Sequence, residues 1–112
     1  MIDFQAALAL DLTLEPVAAE QVVSGSPRTG SAPLGVFNGQ EFGVWEMSVG
    51  AMSDVETDEL FIVIAGRATV ELDSGERFEL VPGSTVVLSE GARTVWTVSE
   101  TLRKIYIVEA TR

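Results

Sequence analysis

Lys104 and Tyr106 lie two residues apart in an alternating run, Leu102–Glu109, so they share one face of a strand. Turned inward, they present a cation and a phenol together, a pair that holds a small polar molecule or handles a proton. The plainer alternative is a core tyrosine beside a lysine whose stem lies along the barrel rim. Asp54, Glu56 and Asp58 also alternate and line one edge. They match the start of a calcium-binding helix–loop–helix, but Glu59 stands where that loop requires glycine, and no helices flank it. Two readings fit these acids: a weak Mg²⁺ or Ca²⁺ site, or a solvated acidic loop, the simpler of the two. Trp45 and Trp96 either pack the core or stack on a ligand. The chain has no histidine and no cysteine. That removes Ser-His-Asp and Cys-His nucleophiles, and the imidazole and thiolate ligands that transition metals prefer. No phosphate-cradling glycine loop occurs.

Charge narrows the partners. Seventeen acids against seven bases leave a net charge of −10. Binding to nucleic acid or to an anionic membrane requires neutralising phosphates, and only Arg103-Lys104 are adjacent bases. The longest apolar run, Leu60–Ala65, falls far short of the ~20 residues that span a bilayer. Met1-Ile2-Asp3-Phe4 opens with an acid where a secretory signal carries bases, so cytoplasm is the expected location. The lack of cysteine accords with that. At 112 residues and 46% hydrophobic, the chain can build one core without staples.

The elements that must position these residues are strands. From Leu34 onward, short β-rich runs alternate with turn signals: Leu34–Phe37, Phe42–Val49, Leu60–Ala65, Ala68–Leu72, Phe78–Val81, Thr85–Leu88, Thr94–Val98 and Leu102–Glu109. Gly50 to Asp58 reads as one of the connections. Such spacing predicts a sandwich or barrel. Leu60–Ala65 is apolar on both faces, which predicts a central strand covered by another sheet or a second subunit. Residues 24–33 are rich in turn formers and read as a loop. The expected organisation is an N-terminal arm and loop over 1–33 and one domain over 34–112.

Two glycine patterns carry a resemblance. Glu59 sits seven residues before Gly66, and Gly83 and Gly91 are eight apart with Thr94 three further on. This resembles the two motifs of the cupin superfamily, in which a histidine stands where Thr94 does. Within that superfamily the chain resembles the ureidoglycine aminohydrolase-type group, which includes small single-domain members related to the ethanolamine-utilisation cupin. The carriers are Gly43-Val44-Trp45-Glu46, Trp96 and Arg103-Lys104-Ile105-Tyr106. The resemblance implies an all-β jelly-roll barrel, a homodimer, and a metal held by two or three histidines plus the glutamate. This chain departs from the last point, offering Ser53, Asp54, Val55, Glu56 and Thr57 before Glu59, and Ser89 in place of a motif proline. We therefore expect no transition metal and no cofactor.

The resemblance also implies that Glu59 points into the barrel. There it serves as a general acid or base, or survives as a strut bonded to Tyr106, Lys104, Trp45, Trp96 or Thr94. Two functions remain open. One is a metal-free module binding a small polar molecule, with Trp45, Trp96 and Thr94 lining the site. The other is an enzyme in which Glu59, helped by Tyr106 or Lys104, acts on a small nitrogenous or carbonyl compound.

Overall fold

The computed structural model describes residues 2–110. Nine strands form one antiparallel sheet that curls toward a barrel, as a cupin jelly roll does: β1 (Glu15–Pro16), β2 (Val22–Ser24), β3 (Arg28–Phe37), β4 (Gln40–Met47), β5 (Gly50–Val55), β6 (Glu59–Leu72), β7 (Arg77–Leu80), β8 (Thr85–Leu88) and β9 (Arg93–Glu109). A single 3₁₀ turn, Ala19–Gln21, precedes β2. No helix among the described residues is long and apolar enough to cross a membrane.

Two long strands organise the sheet. β6 and β9 pair antiparallel along nearly their whole length. The first half of β9 also pairs with β5, and its second half with β4. On its other edge β6 meets β8 and then β7. The sequence pattern breaks each long strand into two runs. The chain instead passes through the breaks as bulges, between Val63 and Ala68 on β6. Gly66 makes this possible. Its φ is +90°, and a Cβ there would overlap the Thr101 carbonyl. The bend brings the two halves of β9 face to face. Trp96 of the first half lies with its ring centre 5.6 Å from Trp45 and 5.5 Å from Phe61, which flank the second half. Met47, Met52, Phe61, Val63, Val70, Leu80, Val98 and Leu102 fill the space between.

Two expectations need correction. The loop over 24–33 is irregular only at 25–27; Arg28 to Pro33 begin β3, which lies beside β4 and gains its backbone partners there. Tertiary pairing overrides the local turn composition. Gly50–Val55 is a strand, not a connection, because β9 offers it a full hydrogen-bonding edge. Leu60–Ala65 is central in its pairing, as expected: Phe61 and Val63 are fully buried on the inner face, while on the outer face Ile62 and Ile64 are half-buried and Leu60 is 37% exposed.

The N-terminal arm is tied to the barrel. Arg103, on the outer face, donates from Nη1 to the carbonyls of Ala7, Leu8 and Leu10. Its Nε and Nη2 both lie 2.8 Å from Glu46 Oε1. The arm residues could not reveal this, because their carbonyls, not their side chains, make the contact.

Candidate functional site

Two of the motif segments are neighbours in space. Gly43↔Tyr106, Val44↔Ile105, Trp45↔Lys104 and Glu46↔Arg103 are successive partners between β4 and β9. Alternation then divides them. Trp45, Lys104 and Tyr106 belong to the inner face, and Glu46 with Arg103 to the outer. Gly43 is glycine because a Cβ there would collide with the Tyr106 hydroxyl. The carboxylates arrive from a different place. Glu56 and Glu59 bracket the short connection 56–58 between β5 and β6. That connection is stapled to the turn before β9: Glu56 N donates to Ala92 O at 2.8 Å, Gly91 N to Glu56 O at 2.9 Å, and Glu90 N to Asp58 Oδ1 at 2.8 Å. The second glycine motif thereby fixes the acids of the first.

At the centre, Lys104 Nζ lies 2.7 Å from Glu59 Oε2. The side chains are 6% and 13% exposed. The ammonium also stands 4.3 Å from the Phe61 ring centre and 4.7 Å from those of Trp45 and Trp96. It is thus a cation in an aromatic box closed by a carboxylate. A second network adjoins it. Thr94 Oγ1 donates to Glu56 Oε2 at 2.7 Å, and Trp96 Nε1 to the same oxygen at 3.0 Å. Among the described residues no buried side-chain nitrogen or oxygen lacks a partner.

The candidates divide accordingly. Glu59 meets Lys104, one of its five expected donors. Thr94 and Trp96 turn to Glu56 instead, and Tyr106 donates to Glu41 Oε2 at 3.0 Å. The acidic stretch is not one solvated edge. Glu56 is buried, Asp54 half-buried, and only Asp58 exposed. Burial first, and then the Glu56 carboxylate, hold the Asp54 carboxyl above the usual range. Glu41 and Phe61 were missed by sequence reasoning, and Glu56 was singled out only as one acid of the stretch, not as the partner of Thr94 and Trp96. The only signal for Glu56 was its place between acids, which suits a solvated loop better. An open groove of about 650 Å³ lies across β5, β6 and β9, with Asp54, Arg93 and Thr94 on its walls; Lys104 and Glu59 do not line it.

The donor set does not fit a transition metal. Glu59 is engaged by an ammonium, Glu56 by a hydroxyl and an indole, and no three His, Cys, Asp or Glu side chains converge among the described residues.

Tyr106 gives a direct check on this geometry. Burial, then its bond to Glu41, push the phenol up to about 12. It is the only tyrosine, so its near-ultraviolet titration is unambiguous. The midpoint should fall near 12 and move down in Glu41→Gln. The raised value means the neutral phenol's contribution to stability is full below about pH 10 and is lost as pH rises through 12. A midpoint near 10 in the folded protein would show a solvated phenol.

A family model for the EutQ-like cupin domain matches residues 33–106. Among solved structures, a protein of unknown function of the DUF861 family from Pseudomonas syringae is 26% identical with a TM-score of 0.70, covering 89% of this chain and 45% of its own. The Clostridium difficile EutQ protein is 20% identical (TM-score 0.65), covering 74% of this chain and 68% of its own. A putative ethanolamine utilization protein Q from Salmonella typhimurium is 11% identical (TM-score 0.64), covering 93% and 99%. The chain spans less than half of the Pseudomonas protein. No curated protein matches the sequence.

Proposed function

Starting from the chain's membership of the EutQ-like cupin domain family, we propose that it binds a small polar molecule at the barrel, with Glu59 and Lys104 as the polar anchor. Trp45 and Trp96 wall the pair, Thr94 lines the neighbouring groove, and no transition metal takes part. The observation that carries this reading is the 2.7 Å Lys104–Glu59 pair inside three aromatic rings. Taking two charges out of water costs several kcal/mol per ion, roughly, and well-packed apolar residues would serve stability as well. A charged pair kept at such cost, where stability does not require it, supports a binding role.

A thermal-shift panel of small carboxylates and small amines tests it. The name of the Salmonella relative puts ethanolamine among them. The expected result is a midpoint rise in the native protein that falls at least about tenfold in apparent affinity in Glu59→Gln, which keeps an acceptor beside Lys104. No shift with any compound, or a shift unchanged in Glu59→Gln, counts against the site. Should a bound compound be turned over, Glu59 is the acid or base, with Tyr106 or Lys104 assisting. Glu59→Gln should then cut turnover at saturating compound by about 10²–10⁴-fold, beyond its loss of affinity.

The remaining assignments belong to the same reading. The net charge of −10 disfavours a nucleic-acid partner, and a chain without cysteine suits the cytoplasm. Leu60 and Val87, partners on β6 and β8, are 37% and 75% exposed on the outer face. A second copy packed there would make a homodimer, seen as about twice 12.0 kDa by light scattering; a monomer at micromolar concentration would exclude it.

A further inference from the structure

Lys104 is the only lysine in the chain; every other basic side chain is arginine. It is also 5% exposed. Lysine is among the side chains least often buried, so the one ammonium here stands where solvation is lost. The chemistry of the position explains the choice. A guanidinium is a wide planar fork, whereas an ammonium is a compact point charge. Three ring centres at 4.3, 4.7 and 4.7 Å and a carboxylate oxygen at 2.7 Å leave room for the point charge. Aromatic faces plus one carboxylate are what a receptor offers to an organic cation. The carboxylate is Glu59, the residue that the cupin resemblance would hand to a metal.

We propose that the barrel centre is a primary-ammonium receptor, kept filled by the chain's own Lys104 as a tethered cation. This stands independently of any external ligand. It explains why the barrel keeps its glutamate without histidines: Glu59 still faces a cation, one now bonded to the chain. A metal ion entering the site would meet a like charge already paired with the Glu59 carboxylate.

Two measurements test the proposal. In the native protein, reductive methylation should modify the α-amino group and leave Lys104 untouched until denaturant is added. Modification of Lys104 at the rate of a free lysine overturns it. The second uses Lys104→Ala, which removes three methylenes and the ammonium. n-Propylammonium supplies the missing atoms. At about tenfold over its Kd it should raise the unfolding midpoint of Lys104→Ala by about 5 °C. Equal concentrations of 1-propanol or sodium ion should do nothing comparable, and Lys104→Ala/Glu59→Gln should lose most of the effect. An equal shift in the native protein, or none in folded Lys104→Ala, overturns the proposal. Should Lys104→Ala fail to fold, the methylation result alone decides.

Discussion

Replacing Lys104 by methionine should destabilise the protein by about 3–5 kcal/mol, a large share of the roughly 5–15 kcal/mol that holds a domain of this size together. The volume is nearly conserved, so the loss is not a cavity. It comes from Glu59, whose side chain is 13% exposed and which would lose the one charged partner it has among the described residues. Three aromatic rings lose their cation at the same time. The double substitution Lys104→Met/Glu59→Leu removes both charges and should recover most of the loss, because an apolar pair of similar volume is commonly neutral or stabilising relative to a buried ion pair. Urea unfolding of the native protein and both variants measures this. A single variant that costs less than about 1 kcal/mol would mean that the pair is solvated. A double variant no better than the single would mean that packing, not charge, is what Lys104 supplies.

Gly66→Ala should cost more than alanine at either glycine of the second motif, and this contrast is the second large effect. Gly66, Gly83 and Gly91 all have positive φ, at +90°, +95° and +86°. Each alanine therefore pays backbone strain on the order of 1–3 kcal/mol. At Gly83 and Gly91 an added Cβ meets nothing within 4 Å, so strain is the whole cost. At Gly66 the same atom would overlap the carbonyl of Thr101 and crowd that of Glu100 at 2.7 Å. Those carbonyls belong to the bend of β9, so relief there must move the strand that carries Trp96 on one side and Lys104 on the other. The expected order of thermal midpoints is Gly66→Ala lowest, with Gly83→Ala and Gly91→Ala close together above it. Equal midpoints for the three would show that the bulge can relax without disturbing the barrel.

Much of the architecture was legible from periodicity. Short runs separated by turn formers implied strands, and the period of two put Trp45 on the face of Met47 and Lys104 on that of Tyr106. The structure has those elements. The failures have one cause. Gly50–Val55 and Arg28–Pro33 carry glycine, serine, proline and aspartate, which weaken a strand locally. They are strands because β9 and β4 present open hydrogen-bonding edges to them. A local window cannot see an edge supplied by another strand of the chain.

The site divides in the same manner. By itself the sequence determined the chemical inventory: no histidine, no cysteine, one lysine, one tyrosine, two tryptophans and an excess of acid. Those counts bound the chemistry whatever the fold. It also determined which residues share a strand face, since alternation is a property of the backbone. Only the tertiary structure decided which partners meet. Glu59 and Lys104 are 45 residues apart and Glu56 and Thr94 are 38 apart, yet each pair is within 2.7 Å. The curl of β9 where its Glu100 and Thr101 carbonyls cross Gly66 of β6 brings Trp96 against Trp45 and Phe61, and this closes the box around the ammonium. Which of two nearby glutamates a hydroxyl, an indole or an ammonium reaches depends on ångström differences in that curl. Local residue preferences contain no record of it.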